Sequence, residues 1–374
     1  MMTFLYILLA IVVLLFMVLV HELGHYIAGK ILKFKITEFS IGFGKAIFSH
    51  TSKKTGEKFS LRIFPLGGYC SFYGEEEDGR GDEQSFNNQK PWKRIIVFLA
   101  GVTMNFITAI IFSWILLCTV GYDTPQIINY SNYINVGVYQ EGDIVRSVDG
   151  TNIDFAFGDT FNSAITKQKQ EAKEFYESED YIEGSRYSFR MVVTRDGKDV
   201  ELVVAVEPYT ITQIDDETGE TTKVTAYVIG LESDIVGEPC TTAYRYGFFE
   251  GLGRSFSMAF GFAWVVLKSL WMLITFQIPI TEMGGTITTI ATMAEYSQQN
   301  IANMLIFIPL ISANLAVFNL LPFPALDGAH VLFTTIEWIR RKPINRKVEN
   351  TIHFVGICIL FAFVVIVDIL HFIL

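Results

Sequence analysis

His21, Glu22 and His25 stand in the run His-Glu-Leu-Gly-His. On a helix, positions i and i+4 share a face, so both imidazoles can bind one zinc ion. Glu22, beside them, is placed to take a proton from a zinc-bound water, whose pKa the metal lowers to about 7. Zinc wants a third protein ligand and leaves a fourth position for water. The histidines are His21, His25, His50, His330, His353 and His371. Asp327 is the best candidate for the third ligand. It closes the run Asn319-Leu-Leu-Pro-Phe-Pro-Ala-Leu-Asp327-Gly328. Taken alone, an aspartate before glycine is more commonly a turn or a helix cap. His330, three residues on, is a weaker competitor. Pro322 and Pro324 break the helix there, which suits a site where backbone must open to admit substrate.

The elements that must carry these residues are apolar. Thr3 to Val20 is 18 residues without a charge and runs on into the histidines. It lacks a basic leader and an A-x-A site, so it reads as a span rather than a cleaved signal. Ionisable groups continuing such a helix are costly without a partner, and this favours zinc over a polar helix end. Ile95–Val120, Met304–Leu321 and Phe354–Leu374 are the other spans, each near the roughly 20 residues a bilayer needs. From Thr3 to His21 the rise is about 27 Å, so the histidines lie near one edge of the hydrocarbon. The third span ends with Asn319 to Asp327 at the same depth.

Charge sets the orientation. Lys and Arg number 12 between Lys30 and Arg94 and 5 between Arg340 and Lys347. Residues 123–245 hold 23 acids against 10 bases. Both basic loops are therefore cytoplasmic and the acidic region is outside. Only an even number of crossings fits between Arg94 and Arg340. A further apolar segment, Phe256–Phe276 with Lys268, is thus expected to lie on the membrane or re-enter it from the outer face. The acidic region reads as a β-rich soluble part, with strands at 188–194, 200–206 and 224–230. Asp196-Gly197 forms the first hairpin turn, and a charged helix covers 160–183.

Hydrophobic residues make up 51% of the 374, charged residues 18%, and phenylalanine alone contributes 32. Mean hydropathy is +0.36. That balance excludes a disordered chain or a coiled coil and points to a membrane protein with a soluble part. The net charge of −10 argues against nucleic acid as a partner. Cys70, Cys118, Cys240 and Cys358 lie far apart and suggest neither a disulfide framework nor a cysteine zinc site. Gly29, Gly42, Gly44, Gly67 and Gly68 are expected at turns. Glu75–Asp78 reads as a solvated loop. Asn105 and Asn314 are polar groups within spans, suited to helix-helix hydrogen bonding or to function. Asp368 and His371, one turn apart in the last span, suggest a structural pair rather than a second metal.

At His21–His25 and Asn319–Gly328 the sequence resembles the site-2 protease family of intramembrane zinc metalloproteases, in the bacterial branch that cleaves anti-sigma factors. The second run matches the family's NxxPxPxLDG motif, which is far more specific than HExxH. Residues 41–69 are similar to its membrane-associated β-hairpin loop. Trp92–Asn105 resembles the start of its second span, and Gln140–Gly150 resembles its PDZ domain. Val102, Gly285–Thr288 and Gly137–Tyr139 depart from the family's usual residues. The resemblance implies that His21, His25 and Asp327 bind zinc and that Glu22 is the base. It further implies that Asn319 holds substrate or the oxyanion.

The resulting fold class is membrane α-helical. Four transmembrane helices carry the zinc site, with a membrane-associated β-hairpin loop and an inserted extracytoplasmic PDZ-like β-rich domain. The expected parts are 1–122 (HExxH span, hairpin loop, second span), 123–235 (PDZ-like domain), 236–300 (interfacial or re-entrant helical segment) and 301–374 (third and fourth spans). The expected function is an intramembrane zinc endopeptidase of the bacterial inner membrane. It would cut single-span membrane proteins, such as trimmed anti-sigma factors, with its active site near the cytoplasmic face. The lipid bilayer is a partner and nucleic acid is not. One rival is a tethered soluble-type zinc protease, which would most simply take a third histidine from 123–245, where none occurs. The other is a non-catalytic PDZ scaffold or transporter-like protein, which has no use for Glu22 beside two histidines.

Overall fold

The structure, a computed structural model, describes residues 2–75, 82–130, 133–153, 160–214, 221–231, 241–279 and 284–373. Glu76–Asp78 and Cys240 lie outside the described residues, as do the side chains of Pro65, Leu66 and His371. The chain divides into two compact units, one made of residues 1–115 and 258–374, the other of residues 116–257.

In the first unit, helix α1 (Met2–Ile31) carries the apolar run without a break through both histidines. Strands β1 (Ile36–Thr51) and β2 (Lys58–Phe72) then pair antiparallel as a two-stranded sheet. Helix α2 (Pro91–Thr119) starts on a proline, whose missing N–H costs nothing at a first helical position. Helix α4 (Phe248–Ile274) begins within the second unit's residues and runs on into the first, followed by α5 (Thr286–Gln299), α6 (Met304–Leu320), α7 (Asp327–Arg340) and α8 (Arg346–Ile373).

Among the described residues five helices are long and apolar enough to cross a membrane: Thr3–Ile31, Pro91–Thr119, Phe248–Ile274, Ile301–Leu320 and Arg346–Leu370. Four coincide with the expected spans. The fifth is the Lys268 segment, and its length alone would also suffice for a crossing. Helices α5 and α7 were not anticipated as separate elements.

Two sets of apolar side chains hold this unit together. Ala10, Val13 and Met17 of α1 pack against Met293 of α5 and Met304, Ile308 and Ile311 of α6. At the other end of α1, Ala28 meets Phe34, Ile36, Phe72, Phe86, Val97 and Phe98. The second set fixes the hairpin against the ends of α1 and α2, beside the histidines. The expectation that the glycines serve turns is corrected here. Gly29 lies inside α1, and Gly42, Gly44, Gly67 and Gly68 lie inside the strands. Gly42, Gly44 and Gly67 have φ of 83°, 85° and 107°, at positions where the pairing register shifts. They bend the ladder as bulges do.

The second unit is β-rich. Strands β4 (Ile144–Val148), β5 (Thr151–Asn152), β6 (Tyr187–Arg195), β7 (Lys198–Ile214) and β8 (Thr221–Val228) form an antiparallel sheet in the order β5-β4-β6-β7-β8. Phe189, Met191 and Val193 alternate with more exposed neighbours and face Phe161, Ala164 and Ile165 of helix α3 (Thr160–Tyr176). Asp196 and Gly197, at φ of 50° and 75°, make the β6–β7 turn that the sequence signals. Strands β3 (Tyr122–Pro125) and β9 (Thr241–Tyr244) pair separately, where the chain enters and leaves the unit.

Candidate active site

Three elements bring three ligand-type atoms together. His21 and His25, one turn apart on α1, turn their Nε2 atoms toward each other at 3.2 Å. Asp327 opens α7, and its Oδ2 lies 3.0 Å from His21 Nε2 and 3.4 Å from His25 Nε2. The cap position of α7 is Leu326, which leaves the Asp327 carboxylate free of any capping duty. Its Oδ2 is buried between the two imidazoles without an ordinary hydrogen bond.

Helix α2 packs directly behind the histidines. His25 Nδ1 donates to Val97 O at 2.8 Å, and His21 Nδ1 lies 3.2 Å from Asn105 Nδ2. Gly101 is between them, and a Cβ there would come within 2.5 Å of His25 Nε2 and 2.8 Å of His21 Cε1. Only glycine lets α2 approach this closely.

Glu22 lines a cavity of about 260 Å³ with His21, His25, Asp327 and Asn319. Strand β2 forms another wall with Gly68, Tyr69 and Cys70. Gly68 lies against Glu22, since a Cβ at that residue would be 3.0 Å from Glu22 Cγ. Asn319 Nδ2 gives one N–H to Leu315 O at 3.0 Å, leaving a second for the cavity. The strand is braced by a polar network on the hairpin. Arg62 donates to Tyr69 Oη at 2.6 Å and to Glu38 Oε1 at 2.8 Å, and Ser60 also donates to Glu38. Burial would raise the Glu38 carboxyl, but the hydrogen bonds from Ser60 and Arg62 outweigh it and hold the pKa at about 2.

The loop that delivers Asp327 is held from α8. Ala325 adopts φ 90°, an uncommon conformation for a residue with a Cβ, and its N–H donates to His353 Nδ1 at 3.0 Å. Pro324 packs where a Cβ on Gly356 would otherwise sit. His330 does not join the three ligand-type atoms. Its ring stacks on Phe98 and on His353, with centroids 4.9 and 4.0 Å away. Burial, and then the adjacent His353, lower its pKa to about 4, so it is neutral at pH 7. His330, Glu349 and His353 form a second cluster of potential ligands. His353 Nδ1 already accepts from Ala325, so its other nitrogen carries the proton and has no lone pair for a metal. The expected pairing of Asp368 with His371 lies outside the described residues, whereas the Asp368 side chain is described. Its carboxylate accepts from the Ile287 and Thr288 N–H groups, each at 3.1 Å, at the start of α5.

The donor set at His21, His25 and Asp327 fits zinc. Two neutral imidazoles and a carboxylate are the nitrogen and oxygen ligands zinc accepts. Ligands about 2.0–2.1 Å from a tetrahedral ion stand roughly 3.3 Å apart. The three edges here are 3.0, 3.2 and 3.4 Å.

A family model described as peptidase family M50 matches residues 9–363. The chain belongs to peptidase family M50. Proteins designated zinc metalloproteases in Fusobacterium nucleatum and Clostridium perfringens are 29% and 30% identical to it. In both cases the match covers 97% of this chain and 97% of the relative. A Campylobacter jejuni protein with the same designation is 27% identical, over 94% of this chain and 89% of its own. As an M50 protein with several long apolar helices, the chain is a multi-pass membrane zinc metalloprotease, and Zn²⁺ is its cofactor. Sequence reasoning missed Val97, Gly101 and His353 as supports of this site, and left Asn105 between a helix contact and a functional group. Only the four-residue spacing of Val97, Gly101 and Asn105 hinted at a shared helix face.

Proposed function

We propose that this M50 protease is an intramembrane endopeptidase that cuts single-span membrane proteins within or beside their transmembrane segment. The observation that carries this reading is the meeting of His21, His25, Asp327 and Glu22 at the end of an 18-residue uncharged stretch of helix. In this reading His21, His25 and Asp327 hold zinc. Bound zinc supplies Lewis acidity toward water and the scissile carbonyl. Glu22 takes the proton from the attacking water and returns it to the leaving amine. The second N–H of Asn319 faces the developing oxyanion. Among the described residues, 68–70 pair as strand with 39–41 of β1 along one edge only. Their other edge borders the cavity and accepts the substrate as an added strand, once its helix has unwound.

The charge pattern supports an orientation in which the basic loops face the cytoplasm of a bacterial cell and residues 123–235 form a PDZ-like domain outside. That domain limits access, so a substrate such as an anti-sigma factor must first lose its large outer part. Asp368 lies near the end of α8 remote from Asp327, and it binds the start of α5. Residues 236–300 would then both leave and rejoin on the outer side, with α4 lying on the membrane or re-entering it, and four helices spanning.

The test is cleavage in proteoliposomes. The wild-type chain is expected to cut a single-span substrate lacking an outer domain, and to spare the same span fused to a large one. Cleavage of both at equal rates would remove the access filter. Failure on every single-span substrate, with activity on soluble peptides, would overturn the intramembrane reading.

A further inference from the structure

Both histidines are held from behind by one face of α2. His25 Nδ1 meets Val97 O at 2.8 Å and His21 Nδ1 meets the Asn105 carboxamide at 3.2 Å. Gly101 lies between, each residue four from the next. A backbone carbonyl only accepts, so His25 carries its proton on Nδ1. Its Nε2 lone pair then points to where Asp327 and His21 converge. A ligand at His21 requires the same tautomer.

The carboxamide of Asn105 has a donor at one end and an acceptor at the other. With its NH₂ toward His21, Nδ1 must accept and the neutral ring carries its proton on Nε2. That atom lies 3.0 Å from Asp327 Oδ2, and no lone pair is left there for a metal. Turned by half a turn, the amide offers Oδ1 to Nδ1–H, and Nε2 keeps its lone pair. Asn105 is fully buried, and the end facing away from His21, Oδ1, has no hydrogen-bond partner. Counting protein hydrogen bonds therefore does not decide between the two orientations. Metal ligation does, because only one of them leaves Nε2 free.

We propose that Asn105 is a positioning residue for zinc: its carboxamide oxygen accepts from His21 Nδ1–H and so fixes the tautomer that presents Nε2 to the metal. The proposal rests on His21 being a zinc ligand. Outer partners of ligand histidines commonly change metal affinity about 10–100-fold when removed. An aspartate at 105 can only accept, whereas leucine can do neither.

The experiment is zinc affinity of the purified full-length chain, by competition with a chromophoric chelator and without substrate. Asn105→Asp is expected to bind zinc within about threefold of wild type or more tightly, and Asn105→Leu about 10–100-fold more weakly. Should leucine not fold, Asn105→Ala carries the same expectation. If Asn105→Asp fell as far as Asn105→Leu, the donor end or the helix contact would be what matters, and the proposal would be overturned. Equal affinity in wild type and every Asn105 variant, with loss in His21→Ala, would sink the proposal alone. Wild-type affinity in His21→Ala would sink the ligand assignment and the proposal together.

Discussion

Glu22 is the residue on which chemistry turns in the proposed mechanism. Glu22→Gln is expected to keep zinc bound, since the three ligand atoms are untouched, and to lower cleavage by at least about 100-fold. Residual turnover above about a hundredth of wild type would count against Glu22 as the base. The pair His21 and His25 was legible in the sequence because an i, i+4 spacing is a local property of any helix. Asp327 was legible only as a best candidate. Whether its side chain capped a helix or faced the histidines depends on Leu326 taking the cap position. Asn105 read equally as a helix-helix contact or a functional group. Its role depends on the register of α2 against α1, which no single sequence displays. The Ala325 N–H bond to His353 joins residues 28 positions apart through an unusual φ, and nothing local signals it.

Close approach of α2 to α1 is the requirement at the level of elements. Gly101→Val would drive side-chain atoms into both imidazoles, so zinc content is expected to fall well below half of wild type. Normal zinc in that variant would show that α2 does not need to touch the histidines. Asp368 makes a separate prediction. It is buried and satisfies two backbone N–H groups of α5, so Asp368→Ala should destabilise the membrane unit by about 1–3 kcal/mol. The readout is a lower thermal midpoint in detergent, with zinc content unchanged. An unchanged midpoint would mean that α5 is held by its apolar contacts alone. Helices α1, α2, α6 and α8 were legible because long apolar runs announce themselves. Helix α5 was not, because Thr286–Gln299 mixes threonine, alanine, serine and glutamine without a strong apolar period. The glycines of the hairpin misled for a related reason. Positive φ serves a bulge inside a strand as well as a turn, and the sequence does not distinguish them.

For the whole molecule, the two basic loops and the acidic region predict sidedness. In a cysteine-free background, a cysteine near Lys54 or Lys342 should be labelled only from the cytoplasm and one near Asp180 only from outside. Lys54 and Lys342 on opposite sides would break the four-span arrangement. The broad division into an apolar part and a β-rich part could be read from composition. The placement of the Phe248–Ile274 helix could not, because its length suits a span while the charge count disfavours one. In the proposed reading a metal held between the first apolar helix and a residue more than 300 positions away unites the molecule, so the most direct measurement is zinc content of the purified full-length chain. About one zinc per chain is predicted for wild type, Glu22→Gln and His330→Ala, and a clear loss for Asp327→Ala. Full occupancy in Asp327→Ala with loss in His330→Ala would contradict the site described here.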